Sequence, residues 1–366
     1  MEGVPQLVTN FSDFKRIYGG YLSESEFGEY RFLAYAVEHF FINGGSRCFV
    51  SRVAPGDAKC AEGFAPAQEG AALIFTAKNP GLWGDNIRVT ISPASKAKTQ
   101  ILEIRDTPTG KQYLVKNGAG FNAGDVVAYT DKKEVIYNKV LKSQDNVLEF
   151  AEDFDEGVVD KNLLPIKTIS TCEFSLEVKY DDQVELYENL SFNVEASNFV
   201  TKRTAKSDLV SVACGALPEG STPPFASLCA AEDQALAAVS LAGGGNGSVA
   251  SLSAADFIGV DNGAGKRTGI QSFLDNDMVS IMAVPGVVDP NVQLMLVAHC
   301  EIWQPLRRAG HAPGRPRRSR TSSTTGRIFD SNYAALYHPW LEIFDPLDKR
   351  TSPSRPRAPC WACYAR

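Results

Sequence analysis

Apolar side chains recur every three or four positions from Phe32 to Phe41, which is the spacing of a helix with one core-facing side. Asn-Gly-Gly follows at 43–45, where glycine supplies the left-handed residue that closes a helix. Residues 48–50 then form an apolar run bounded by arginines, as expected for a strand buried in a sheet. The predicted core-facing stripe comprises Phe32, Leu33, Ala36, Val37, Phe40 and Phe41.

The residues before this helix predict one strand and a second, shorter helix. Residues 6–8 form the predicted strand. Residues 12–18 form the predicted helix, with Asn10 or Ser12 as its N-terminal cap and a glycine pair at 19–20 as its end.

Between residues 87 and 178 the pattern changes to short runs in which apolar and polar residues alternate, which is the period of β-strands. Turn-forming Gly, Asp and Asn separate these runs, and the region therefore predicts a mainly antiparallel β domain. The predicted strands are residues 87–91, 101–104, 113–115, 126–129 and 174–178.

The last third of the chain predicts alternating helices and strands. Residues 226–241 form a predicted helix that ends before the glycine-rich stretch 243–247, and another helix is predicted to start at Ser253. Residues 279–284 predict a buried strand of the parallel type, and residues 290–300 predict the helix that follows it. This alternation is typical of an α/β layer.

Composition narrows the class of protein. The 366 residues are enough for two domains, and a net charge of −6 argues against nucleic acid as the general partner of the surface. The sequence has neither an apolar run of about eighteen residues nor a basic N-terminal region followed by an apolar one. It therefore predicts no transmembrane helix and no signal peptide. Eight scattered cysteines favour reduced thiols over a disulfide framework.

Three stretches resemble the tail sheath proteins of contractile phage tails. Residues 34–53, AYAVEHFFINGGSRCFVSRV, are similar to that family's helix ending in Phe-Phe-x-Asn-Gly-Gly and the strand after it. Residues 79–91, NPGLWGDNIRVTI, resemble its Pro-Gly-x-Trp-Gly motif, and residues 255–301 give the longest match. In all, the resemblance covers residues 1–53, 79–91 and 185–343.

The resemblance implies an α/β fold in which residues 1–53 and 225–366 form one discontinuous core, a mixed sheet flanked by helices. It implies that residues 54–224 form an inserted, mainly antiparallel β domain with its linkers. We therefore expect a structural protein and not an enzyme, with no catalytic, metal or cofactor site.

Subunits of this family polymerise as stacked rings around an inner tail tube and also meet baseplate and tail terminator proteins. They contract by rigid-body sliding, without consuming nucleotide, to drive the tube through a cell envelope. The expected location is a virion tail or phage-like particle assembled in the bacterial cytoplasm, with no membrane insertion and no direct contact with nucleic acid. The sheath of a phage-derived bacteriocin or of an extracellular contractile injection system is the alternative.

Residues 302–326 differ in amino-acid composition from the chain around them, because they contain many arginines but no acidic residue and no lysine. One interpretation is a basic arm for nucleic acid. The interpretation we favour is a frame-disrupted segment, because neighbouring-frame codons can spell the family's Arg-Phe-Ala-Val-Leu-Asp strand. Residues 351–363 are interpreted in the same way, as a second frame-disrupted segment. On this hypothesis one core strand is altered and the family's two terminal arms fall outside the sequence. We therefore expect the chain as written to assemble poorly.

The glycine-rich residues 263–269 invite comparison with a phosphate loop. That motif needs Gly, four residues, Gly, Lys and then Ser or Thr as a magnesium ligand. Here Arg267 follows Lys266, and Val260 stands where the first glycine is required. The clear predicted strand also follows this loop instead of preceding it. A phosphate-binding enzyme therefore stays a remote alternative.

Nucleophilic and metal chemistry have little support in the sequence. The core of the sheath family has been called subtilisin-like, but no G-x-S-x-G motif is present. Of the histidines, those at 39, 299 and 338 are predicted to be structural, and the one at 311 lies in the segment interpreted as frame-disrupted. Cys360 and Cys363 are an isolated pair, and Asp275 and Asp277 lack the spacing of a calcium loop. The glycine-rich stretch 243–247 is predicted to be a flexible loop. The four histidines are His39, His299, His311 and His338.

Overall fold

The structure is a computed structural model that describes residues 3–66, 71–108, 110–130, 135–153, 168–215, 237–307, 331, 333–337, 343–347, 349–352 and 360–364. The chain divides into two compact units. Met1–Ala58 and Gly247–Arg366 form the first, called here the terminal unit, and Lys59–Asn246 form the second, called the inserted unit. Both helices and antiparallel sheets are present, so the fold is mixed α and β.

The terminal unit contains most of the helices. Its helices are α1 (Phe11–Tyr18), α2 (Glu24–Phe27), α3 (Phe32–Ile42), α5 (Ala254–Ile258) and α6 (Pro290–Arg307). Its strands are β1 (Gln6–Val8), β2 (Cys48–Val50), β16 (Ile281–Met282), β17 (Ala334–Tyr337), β18 (Ile343–Asp345), β19 (Arg350–Ser352) and β20 (Cys360–Tyr364).

The inserted unit is almost entirely β. Its described residues include one short α-helix, α4 (Val200–Thr204), and one 3₁₀ helix, Leu82–Asn86. Its first strands are β3 (Glu62–Pro66), β4 (Ala71–Ala77), β5 (Arg88–Ala94), β6 (Lys98–Thr107), β7 (Gly110–Val115), β8 (Val126–Thr130) and β9 (Val135–Gln144). The others are β10 (Val147–Phe150), β11 (Thr168–Thr171), β12 (Glu173–Tyr180), β13 (Gln183–Leu190), β14 (Val210–Cys214) and β15 (Ala237–Ser240).

Helix α1 ends as the sequence predicts, at Tyr18, and begins one residue earlier, at Phe11. Asn10 is its cap, because its side-chain oxygen accepts a hydrogen bond from the backbone N–H of Asp13 at 2.8 Å. Gly19, with a φ of 86°, ends the helix.

The predicted stripe of helix α3 is partly wrong. Ala34, Tyr35 and Val37 are the buried residues, whereas Ala36 is exposed and Phe40 is 41% exposed. The ring of Phe40 lies over the glycine turn instead of entering the core. A Cβ atom at Gly45 would meet that ring at 2.3 Å. The turn after the helix therefore redirects one of the aromatic side chains that periodicity assigned to the core.

The inserted unit consists of a sandwich and a barrel. A four-stranded sheet in the order β13-β12-β5-β15 and a three-stranded sheet in the order β14-β4-β3 enclose one apolar cluster, which includes Phe75, Ile91 and Leu176. Strands β10-β7-β6-β11-β8-β9 close into a barrel filled by a second cluster, which includes Tyr113 and Tyr129. All the pairings between these strands are antiparallel.

Two predictions for the last third of the chain are wrong. Residues 237–240 form strand β15, which pairs with β5, and not the end of a helix; residues 226–236 lie outside the described residues. Because of this pairing, residues 237–246 belong to the inserted unit and not to the core predicted for 225–366. Strand β16 covers only Ile281–Met282, pairs antiparallel with β20, and leaves Ile281 54% exposed, so it is not a buried parallel strand.

Gly84 provides a test of packing in the sandwich. A Cβ atom there would lie 2.8 Å from the Cβ atom of Ala61 and 2.9 Å from that of Ala77, and neither atom can move without its backbone. We expect Gly84→Ala to lower the free energy of unfolding by about 1–3 kcal/mol, measured by denaturant titration. Gly245→Ala is the matched control, since its nearest neighbours would lie 3.9 Å away. Equal stability of the two variants would contradict this account of the packing.

Candidate functional site

The loop that resembles a phosphate cradle folds around charged side chains of its own. The backbone N–H of Gly263 donates to Asp261 Oδ1 at 3.0 Å, and that of Gly265 donates to Asp275 Oδ2 at 3.1 Å. Arg267 contacts both carboxylates. The donors that a phosphate would need are therefore engaged by carboxylates, which repel anions. Helix α5, and not a strand, precedes the loop, as the sequence prediction against a phosphate site requires.

The other glycine-rich stretch, residues 243–247, is held in the same way. The backbone N–H of Gly244 donates to Asp85 Oδ1 at 2.8 Å. A Cβ atom at Gly247 would lie 2.7 Å from Asp57 Oδ1, and that carboxylate also accepts the N–H of Ser248 at 2.9 Å through its other oxygen. These contacts hold the stretch, which is a loop as predicted, against Asp85 and Asp57.

The described histidines do not form a catalytic arrangement. His39 is exposed on helix α3. His299 is buried on helix α6, and burial lowers its pKa, which favours the neutral ring of a packing residue. His311 and His338 lie outside the described residues.

The candidate metal and basic sites are likewise not supported by the part of the chain that the structure covers. There, no group of three or more His, Cys, Asp or Glu side chains is placed to hold a metal ion. The backbone of Cys360 and Cys363 belongs to strand β20, and Asp277 is exposed. In the basic segment 302–326, helix α6 continues to Arg307, and the remainder lies outside the description. None of the described helices is long and apolar enough to cross a membrane.

The feature with the clearest capacity for interaction is the small sheet formed by β1 and β2. The strands pair antiparallel, with Gln6 opposite Val50, Leu7 opposite Phe49 and Val8 opposite Cys48. Because side chains alternate along a strand, this register gives the sheet two different faces.

The inner face of this sheet packs on the first helices. Val8 and Val50 are buried there in a cluster with Phe14 and Val37. The phenol of Tyr18 donates a hydrogen bond to the carbonyl oxygen of Val50 at 2.5 Å. Burial raises the pKa of Tyr18, so this donor keeps its proton well into the alkaline range.

The outer face of the sheet is apolar and open. Leu7, which lies opposite Phe49, is 44% exposed, and Phe49 is half-buried. The apolar sequence of β2 predicted a strand buried on both sides, and this prediction is wrong. Within the described residues the sheet has only two strands, and two strands alone are marginally stable in water. Its edges can therefore accept a further strand, and its open face can make apolar side-chain contacts with a partner.

Sequence reasoning located both strands but missed the exposed pair. The alternation of Gln6, Leu7 and Val8 shows that their side chains point to opposite faces, yet it does not say which face is covered. The register between β1 and β2 decides this, because it places Leu7 beside Phe49, from the other end of the intervening chain 8–48.

Comparison with known proteins does not assign this chain to a family. A scan against protein-family models gives no match, and a search of curated proteins finds no similar sequence. The functional argument therefore depends on the motifs and on the geometry described above.

The two faces of β1 can be distinguished by truncating neighbouring residues. Val8 is fully buried, and we expect Val8→Ala to lower the free energy of unfolding by about 1–3 kcal/mol through loss of apolar burial and a new cavity. Leu7→Ala serves as the matched comparison and should change it by less than about 0.5 kcal/mol. Denaturant titration of the full chain measures both. A larger effect at Leu7 than at Val8 would show that the assigned faces are reversed.

Proposed function

We propose that this chain is a subunit of a contractile tail sheath. The observation that carries the proposal is the discontinuous organisation of the chain, in which both ends form one unit around an inserted β unit. The sequence resemblance implies the same order of parts. In this proposal the terminal unit is the α/β core and the inserted unit is the additional β domain. The strand pairings described within the terminal unit are antiparallel, so they do not include the parallel pairs of the mixed sheet that the resemblance implies.

The residues that carry the resemblance have structural and not chemical roles, which also supports the proposal. Gly44, with a φ of 92°, and Gly45, beneath the ring of Phe40, form the turn after helix α3. In the second motif, Gly84 packs against two alanines, and Trp83 meets Tyr180 edge to face at 5.3 Å. These residue types are required by close approach and packing, as expected for a structural subunit.

The longest matching stretch has the same character. A Cβ atom at Gly259 would meet the carbonyl oxygen of Thr268 within 2 Å, and one at Gly269 would lie 2.4 Å from the carbonyl oxygen of Phe257. The two glycines therefore allow the backbone to cross itself at the base of the 259–269 loop. A glycine-rich segment of this kind needs no ligand to explain its composition.

In the proposed assembly, a neighbouring copy adds an extended strand to the open β1–β2 sheet. Backbone hydrogen bonds supply affinity, and the outer face with Leu7 and Phe49 supplies an apolar contact. The partners are other copies of this chain, an inner tail tube, and baseplate and terminator proteins. Contraction is a rigid-body movement of assembled subunits, and the particle is a phage tail or a related injection system. Neighbouring genes distinguish these, since capsid genes indicate a phage.

The frame-disruption hypothesis has a direct test. Resequencing the coding DNA through codons 295–366, with several hundred bases on either side, should reveal base insertions or deletions near residues 302–326 and 351–363. The corrected frame is expected to encode the Arg-Phe-Ala-Val-Leu-Asp strand. DNA that confirms every codon as printed would refute the hypothesis.

Assembly tests the proposed function itself. The protein encoded by the verified gene should form rings or tubes that are visible by electron microscopy and sediment faster than a monomer. Leu7→Lys should reduce this assembly strongly while changing the free energy of unfolding by less than about 0.5 kcal/mol, because the side chain is exposed. Met278→Lys, at an exposed residue of the same unit, is the control and should assemble normally.

Two outcomes would contradict the proposal at different levels. A verified protein that stays monomeric at high concentration and with tube protein present would overturn the sheath function. Normal assembly of Leu7→Lys would instead retain the function and exclude the β1–β2 face as the contact.

A further inference from the structure

A buried group of charged side chains lies where the barrel joins the sandwich in the inserted unit. The chain passes between these two parts twice, from β5 to β6 and from β11 to β12, and Glu173 lies opposite Ala94 at these crossings. Glu173 is 1% exposed and Asp125 is 2% exposed, and the ammonium group of Lys96 lies between them. Charged groups this deeply buried are uncommon unless they are paired.

The carboxylate of Glu173 is held by groups from both crossings. Its Oε2 atom accepts the backbone N–H of Lys96 at 2.8 Å and the hydroxyl of Thr171 at 2.6 Å. Its Oε1 atom lies 3.3 Å from Lys96 Nζ. These contacts tie the first residue of β12 to the connection between β5 and β6.

The carboxylate of Asp125 competes for the same ammonium group. Lys96 Nζ lies 2.8 Å from Asp125 Oδ2, which is closer than its distance to Glu173. Asp125 also accepts the backbone N–H of Asn122 at 2.9 Å and, on its other oxygen, the side-chain amide of Asn193 at 3.0 Å. Asn193 follows β13 of the sandwich, so this carboxylate also links the two parts.

The group contains more negative than positive charge. Among the residues that the structure describes, Lys96 and Asp125 are the charged side chains that face Glu173 from the neighbouring elements, so within this part of the chain two carboxylates share one ammonium. The next charged residues on the adjoining strands are Glu177 on β12 and Lys98 on β6, and both are exposed to water. One uncompensated negative charge in such a buried place is costly, and protonation is the simplest way to remove it.

We propose that this junction is a proton-operated latch, in which Glu173 takes up a proton in the folded chain and thereby holds the barrel to the sandwich most tightly. In the protonated state, Lys96 and Asp125 form a neutral pair beside a neutral Glu173. When Glu173 ionises, the second buried carboxylate lacks a counter-ion, which favours water entry and loosening at the two crossings.

The direction of the pH effect follows from the environment of Glu173. Burial raises its pKa above the ordinary value of 4.5, although the hydrogen bonds from Thr171 and the Lys96 backbone oppose this rise. Because the pKa is higher in the folded than in the unfolded chain, the stabilising contribution is complete below about pH 4.5 and is lost as the pH rises through the folded-state pKa. The contribution of Glu173 to holding the junction is thus largest in acid and smallest above its folded-state pKa.

Amide hydrogen exchange of the full chain, corrected for the intrinsic effect of pH, tests the latch. The reporting amides are those of Ala97 and Thr171, which donate across the crossings to Thr171 Oγ1 at 3.1 Å and to the carbonyl oxygen of Ala97 at 2.9 Å. Between pH 4.5 and 8, protection in the wild type should fall by about tenfold for each unit by which the pKa is raised.

The matched variants are Glu173→Gln and Glu177→Gln, which remove the same charge from one strand at a buried and an exposed position. Glu173→Gln should be strongly protected at every pH, whereas Glu177→Gln should keep the wild-type dependence. A pH-independent wild type, or a Glu173→Gln variant with unchanged pH dependence, would overturn the proposal.

A direct titration covers the case in which Glu173→Gln does not fold. In the wild type with ¹³C-labelled glutamate, the carboxyl carbon of Glu173 should titrate with a midpoint above 4.5. Thr171→Val removes a hydrogen bond that lowers the pKa, so it should move that one signal to a still higher midpoint and thereby identify it. A midpoint at or below 4.5 in the wild type refutes the latch.

Discussion

Paired backbone segments at the base of each insertion are the constraint on which the architecture depends. Lys59 and Gly245 exchange two hydrogen bonds, of 3.0 and 2.9 Å, where the chain enters and leaves the inserted unit. Glu62 and Ala242 repeat this exchange one step further in, with both bonds at 2.9 Å. The barrel is inserted into the sandwich in the same manner, through the ladder between β5 and β12. Each insertion is thus closed at its base by antiparallel pairing, so that distant parts of the sequence meet at defined residues.

Because the units are inserted one within another, local sequence patterns predicted the bounds of strands and helices better than they predicted which residues are buried or paired. The strands Gln6–Val8 and Cys48–Val50 have the bounds that the sequence predicted, and Asn10 is one of the two predicted caps. Periodicity failed for Phe40, because a glycine turn beyond the helix determines where its ring lies. It failed again for residues 237–240, whose strand exists through pairing with β5, far away in the sequence. Tertiary pairing outweighed local preference at residues 237–240, whereas at Phe40 the turn next to the helix did.

For candidate sites, the sequence indicated mainly which chemistry its motifs do not support. Spacing alone argued against a phosphate site in the 259–269 loop, and the structure adds the reason that Asp261 and Asp275 occupy the backbone donors. The buried group around Glu173 has no sequence signature, because Lys96 and Glu173 are brought together by strand pairing over 77 residues. The exposed Leu7 also depended on register. Both features required knowledge of which strands pair.

The discontinuous terminal unit has a consequence for the order in which the protein folds on the ribosome. Ser51 and Ser272 share a hydrogen bond within this unit but are 221 residues apart. The stacking of Tyr30 on Phe257 likewise joins the first and last parts of the chain. Residues 59–246 emerge in one continuous piece and can fold as soon as they are synthesised. The first 58 residues contain an apolar cluster of their own, but their contacts with Phe257 and Ser272 form only after synthesis has passed residue 272, so part of their surface stays uncovered until then. Nascent chains are therefore most exposed to chaperones and to aggregation during this interval.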